Sequence, residues 1–139
     1  ALKASGLGDQ FLDNLQIWRD QMALGLTTWA EMPEPSRSDC HAWGASPNIE
    51  FYRILLGIDS DAPGFRKIRI APSLGKLKEV SGTIPHPLGS VTAAYKLDER
   101  GEGTARLVLP EGTTGIFIWD GKEIPLKPGE QVISLSLRH

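Results

Sequence analysis

The chain has 139 residues, 40% of them hydrophobic and 23% charged, with 15 Lys and Arg against 17 Asp and Glu for a formal net charge of -2. That balance fits one compact domain, or a small domain with a piece of another, and excludes a disordered or fibrous chain. Without a basic stripe to displace counterions, nucleic acid is not an expected partner. With no apolar run near the roughly 20 residues a bilayer span needs, neither is a membrane.

In chain order, the first expected element is a helix capped by Asp9, in which Phe11, Leu12, Leu15, Trp18 and Met22 recur at steps of three and four. It should stop near Gly25, where a left-handed residue closes a helix cheaply. Pro33, Glu34 and Pro35 then break the chain into a loop that runs to Cys40. A second helix is expected from Ser46, with Pro47 at its first position, to Leu56, and Gly57 ends it. Its apolar set is Ile49, Phe51 or Tyr52, Ile54, Leu55 and Leu56.

The pattern changes near Asp59 to Gly64, and from Phe65 onward the period is two. Ile68 and Ile70 alternate with Lys67 and Arg69, and further strands are expected over 77–84, 90–97, 104–109, 115–119 and 131–137. Asp120-Gly121 marks a tight hairpin from Ile116–Trp119 to Lys122–Ile124. Pro87-Leu88-Gly89 and Lys127-Pro128-Gly129 read as turns, and His86 as an exposed turn residue. Trp18 and Trp119 read as core. The expected class is α+β: two N-terminal helices in residues 1–60, then an antiparallel β-sandwich in residues 65–139. The helices carry more apolar area than they can cover between them. They either pack on the sandwich or belong to a larger helical body, and the second is the preferred reading.

Cys40 is the single cysteine, which excludes an internal disulfide and is compatible with any compartment. An adjacent Cys-His pair cannot readily form a thiol–imidazole couple, and no third orienting group is evident. Three scattered histidines give no metal-ligand spacing, so neither metal nor cofactor is expected. Taken by itself, Glu31 reads first as an ordinary solvated loop carboxylate, and His41 reads equally as a structural loop histidine or a site residue.

Three stretches in order change that weighting: Leu26-Thr27-Thr28-Trp29-Ala30-Glu31; Ser38-Asp39-Cys40-His41-Ala42-Trp43-Gly44-Ala45-Ser46-Pro47; and Leu56-Gly57-Ile58 running into Pro63-Gly64-Phe65 and Ile68-Arg69-Ile70-Ala71-Pro72. Together they resemble the end of the bacterial α-L-rhamnosidases, glycoside hydrolases built on an (α/α)6 barrel with a closing β-sandwich. The resemblance implies that the helices are the last of that barrel. It also implies that the chain, which starts at Ala1 without an initiator Met, is a C-terminal fragment. Carried over by position, Glu31 matches the catalytic base of an inverting enzyme, His41 an active-site histidine that contacts the sugar, and Trp43 a wall of the same pocket. The implied partner is a rhamnose-containing glycan or glycoside.

One departure is the stretch between Glu31 and His41, which is shorter than in the commoner branch of the family and puts loop-borne substrate contacts in doubt. Inverting hydrolysis needs a second carboxyl group as acid, placed earlier in the family's barrel, so the fragment is expected to be inactive by itself. A competing reading makes the sandwich a carbohydrate-binding or purely structural module. Few aromatic residues follow Phe65, and the structural role is preferred because the apolar alternation looks inward-facing and the turns carry no clustered polar groups. Helices stripped of their barrel should also expose apolar surface and drive self-association.

Overall fold

The computed structural model describes residues 1–136. It follows the α+β plan, with helical segments first and then two four-stranded sheets packed face to face. The last expected strand, over 131–137, is found at Gly129–Leu135, and Leu137 lies outside the described residues.

The first helical stretch is not one continuous helix. Short 3-10 turns at Gly8–Gln10 and Leu12–Leu15 lead into α1 (Gln16–Ala23). Asp9 does not cap it, because its Oδ1 accepts a hydrogen bond from the Gly75 backbone N–H at 2.9 Å and so ties this segment to the start of the sandwich. The second stretch opens as expected with Pro47 near the start of α2 (Ser46–Glu50), but widens to a π-helical turn over Phe51–Leu55. Groups outside the helix claim its last carbonyls. Lys3 Nζ donates to Arg53 O, the Ser73 N–H to Ile54 O, and the Tyr95 hydroxyl to Leu56 O at 2.7 Å. Phe11, Leu15, Ile54 and Leu55 form a small buried cluster, and Phe11 meets Phe51 edge to face.

The sheets comprise β1 (Ile58–Ser60), β2 (Lys67–Ile70), β3 (Glu79–His86), β4 (Gly89–Leu97), β5 (Gly103–Leu109), β6 (Thr114–Trp119), β7 (Lys122–Leu126) and β8 (Gly129–Leu135). One sheet has the order β1-β2-β6-β7 and the other β3-β4-β5-β8. As an antiparallel sandwich requires, the strand pairs are antiparallel, with the one exception of β2 and β6, which run parallel. Alternate residues turn inward, as a half-buried strand requires. Val91, Ala93 and Tyr95 of β4 and Ala105, Leu107 and Leu109 of β5 face Ile68, Ile70 and Phe117 of the other sheet, and all are buried. The Asp120-Gly121 hairpin forms with both residues at positive φ, the signature of a type I′ turn. Trp119 packs on the core, in line with the expectation, and Trp18 packs on the helical cluster.

His86 corrects the sequence reading. It is buried at the β3–β4 turn, with Nε2 2.8 Å from Phe65 O, and Nδ1 accepts from the Leu88 N–H. The residues flanking it, Pro85 and Pro87, look like exposed turn formers, whereas the Phe65 ring packs against the imidazole with centroids 5.1 Å apart.

Helices and sandwich meet at Leu56 and Gly57. Leu56 is part of the sandwich core, and Gly57 holds φ 75° with no room for a side chain. A Cβ there would lie 2.2 Å from Ala71 C and 2.3 Å from Pro72 N. Burial pushes the Tyr95 hydroxyl well above its ordinary pKa. Its neutral form is therefore favoured in the folded state. Stability from this group is full below about pH 10, where the unfolded phenol titrates, and falls as pH rises further. Tyr95→Phe should cost about 1–3 kcal/mol at neutral pH by stranding the buried Leu56 carbonyl. It should also reduce the alkaline loss of stability, both read from denaturant melts at pH 7 and pH 11.

Candidate functional site

The loop between the helical stretches forms a narrow pair of extended segments. The His41 N–H donates to Trp29 O at 2.8 Å, the Glu31 N–H to Ser38 O at 2.9 Å, and Thr28 Oγ1 to Asp39 O. A cis Glu34–Pro35 bond lies at the far end. Glu31 and His41, ten positions apart in sequence, are thereby neighbours. Trp43 joins them: its indole Nε1 donates to Glu31 O at 3.1 Å, and its ring centroid lies 4.2 Å from that of His41. The structure thus brings all three residues singled out from the sequence onto one surface.

Their environments differ. The Glu31 side chain is only 4% exposed, and both of its carboxylate oxygens are held by Arg37, through Nε at 2.6 Å and through Nη2. Arg37 itself is 77% exposed, so the group that grips the carboxylate is open to water. The Arg37 hydrogen bonds hold the Glu31 carboxyl below the usual carboxylate range. Burial pushes the other way, and the charge of His41 adds a lesser lowering. His41 Nδ1 is buried with no hydrogen-bond partner among the described residues. Trp43 is 60% exposed. The arrangement joins an ionised acceptor, an imidazole nitrogen with unused hydrogen-bonding capacity and an open aromatic face.

Two concavities lie elsewhere. One of about 280 Å3 runs between the helical stretches along Leu12, Trp18, Met22, Trp29 and Phe51, and one of about 350 Å3 lies between Ile49, Tyr52 and the sandwich at Phe65 and Ile84. Neither concavity is lined by Glu31, His41 or Trp43.

Two residues at the site escaped the sequence reading. Arg37 carried a signal, since a Pro-Glu-Pro turn can fold an Arg back on a Glu six positions earlier. Gln21 carried none. It is 3% exposed on α1, and its Oε1 accepts from the Ala30 N–H at 3.0 Å, a contact across nine positions that no periodicity announces.

Residues 57–131 match the family model described as the bacterial alpha-L-rhamnosidase C-terminal domain. Among solved structures, the chain is similar to the native α-L-rhamnosidase of Aspergillus terreus, with TM-score 0.83 and 22% identity over 96% of this chain and 18% of that one. The α-L-rhamnosidase of Dictyoglumus thermophilum gives TM-score 0.70 and 18% identity over 84% of this chain and 17% of that one. The Streptomyces avermitilis α-L-rhamnosidase, solved in complex with L-rhamnose, gives TM-score 0.62 and 19% identity over 86% of this chain and 14% of that one. At these identities the likeness is one of fold, and this chain spans under a fifth of each of the three. No curated protein matches the sequence.

The Glu31–Arg37 pair makes a checkable statement about pH. With its folded pKa lowered, Glu31 adds stability above its unfolded pKa of about 4.3, and that stability is lost as pH falls through the folded value. Arg37→Met should move the Glu31 carboxyl titration upward, as read by carboxyl 13C NMR. An unmoved titration would mean that the pair does not persist in solution.

Proposed function

The chain belongs to the bacterial α-L-rhamnosidase C-terminal domain family, and from that premise we propose that it is the C-terminal part of an inverting glycoside hydrolase releasing terminal α-L-rhamnose. On this reading residues 1–60 are the last helices of the catalytic (α/α)6 barrel and residues 65–139 the sandwich that closes it. Glu31 is the general base, and His41 and Trp43 belong to the sugar pocket. The observation that carries the reading is the convergence of the Glu31 carboxylate, the unpartnered His41 nitrogen and the open Trp43 ring.

The chemistry suits each group. Inversion requires a carboxylate that takes a proton from water while a second carboxyl group, roughly 6.5–9.5 Å away, protonates the leaving oxygen. An ionised carboxylate only accepts hydrogen bonds, and the pairing with Arg37 favours that form of Glu31. A base whose oxygens are both occupied cannot hold a water, so Arg37 has to give up one of them. Arg37 is open to water, so its guanidinium can swing into solvent and free one carboxylate oxygen. The His41 imidazole suits hydrogen bonding to a sugar hydroxyl once its covered, unpartnered Nδ1 is opened to the pocket, and the Trp43 face offers an apolar wall to the C–H side of a pyranose. The acid is assigned to a part of the longer protein outside these residues.

For the sandwich, the structural reading is favoured over carbohydrate binding. Tyr95 and Phe117 are buried and Trp119 lies stacked on Phe117, so the aromatic groups expected of a sugar platform are turned into the core. The helical segment presents the opposite picture, with Met22, Leu24, Ile49 and Trp43 all well exposed. We assign that surface to packing against the rest of the barrel.

Two outcomes follow. In the full-length protein, Glu31→Gln should lower turnover of an aryl α-L-rhamnoside by at least a hundredfold at a temperature where the variant remains folded, while this chain alone turns over none. Retained activity in that variant would remove Glu31 from the base role. The chain alone should also self-associate through its helical surface. A strict monomer in light scattering at high concentration would show that this surface does not drive association.

A further inference from the structure

α1 touches both ends of the loop that carries Glu31, His41 and Trp43. Gln21 Oε1 accepts the N–H of Ala30, the residue before Glu31. Trp18, one turn earlier on the same face of the helix, donates its indole N–H to the carbonyl of Gly44, the residue after Trp43, at 2.7 Å. Gly44 fits there because it has no side chain: a Cβ would come within 2.8 Å of both Ala30 O and Trp29 Cβ. The two ends of the loop thus lie against each other and against one helix. Gln21 is itself well fixed. It is among the few buried polar residues of the chain, and its own carbonyl accepts the Leu26 N–H where α1 turns back at Gly25.

We propose that Gln21 is a positioning residue for Glu31, setting through the Ala30 amide where the carboxylate stands relative to His41 and Trp43. The proposal rests on the reading of Glu31 as general base. Gln21 touches neither Glu31's carboxylate nor any reacting atom in this account. Its effect passes through the backbone. The Ala30 N–H is buried and has no second acceptor shown, so removing the Gln21 oxygen leaves a desolvated donor that regains a partner only if the segment shifts toward water. A displacement of the base by about 1 Å is enough to cost on the order of a hundredfold in rate.

The test uses the full-length protein and three variants. Gln21→Met keeps the bulk and removes the acceptor, Gln21→Asn withdraws the oxygen by one carbon, and Gln21→Glu keeps an oxygen at the same reach. Hydrogen exchange by mass spectrometry on peptides covering residues 28–32 reports the Ala30 amide without reference to activity. Expected results are faster exchange there for the Met and Asn variants, and kcat on an aryl α-L-rhamnoside lower by roughly ten- to a hundredfold with KM within a few-fold. The Glu variant should recover most of both. If Gln21→Met does not fold, the Asn and Glu variants carry the comparison. Unchanged exchange at 28–32 overturns the contact, and faster exchange with unchanged kcat overturns the positioning role. Losses of kcat that follow the melting temperature and are not recovered by Glu reduce Gln21 to a structural residue. Failure of the base reading shows separately, as turnover surviving Glu31→Gln, and leaves the exchange result standing.

Discussion

The junction at Leu56 and Gly57 is the constraint on which the rest of the molecule depends. Leu56 places its side chain in the sandwich core and its carbonyl on the buried Tyr95 hydroxyl. Gly57 then turns at positive φ against the backbone of Ala71 and Pro72, so closely that any side chain would displace one segment or the other. Helices this short have little stability of their own, and here they are held because their last carbonyls are claimed from outside. Tyr95, Ser73 and Lys3 supply those bonds from the sheet, from the segment after β2 and from the N-terminus. The widened turn at Phe51–Leu55 is the local form this takes.

With the second helical stretch fixed in this way, the first can pack on it, and the loop between them has both of its ends determined. Phe11 and Leu15 close against Ile54 and Leu55, and α1 then offers Trp18 and Gln21 to the loop. The proposed site is thus the product of nested constraints: sandwich, junction, helix pair, loop. Its members are neighbours because their backbones are paired across the loop, as Trp29 with His41 and Glu31 with Ser38. The side chains add the Arg37 clasp and the tilt of His41 on Trp43.

Features set by local chemistry were legible in the sequence. The Asp120-Gly121 turn, Pro47 near the start of its helix, the inward alternation of Ile68 and Ile70, and the order of motifs around Glu31 and His41 all depend on residues within a few positions of one another. What sequence alone did not reveal depends on distant partners. Asp9 has the chemistry of a helix cap but serves the Gly75 amide instead. His86 sits between two prolines and is nevertheless buried, with Phe65 packed against it. β1 is three residues long, too short for a period to show, and the parallel pairing of β2 with β6 is a property of topology that hydrophobic pattern does not encode.

That parallel pair has a kinetic meaning. Between Ile70 and Thr114 the chain leaves one sheet, builds β3, β4 and β5 in the other, and only then returns to lie beside β2. The hairpins β3–β4 and β4–β5 close over short loops and can assemble early, whereas β2 and β6 must wait for everything between them, at a loop-closure entropy that the local hairpins do not bear. Until they meet, β1 and β2 have no continuous sheet to join. Completion of the β1-β2-β6-β7 sheet is thereby placed after the local hairpins as the chain folds.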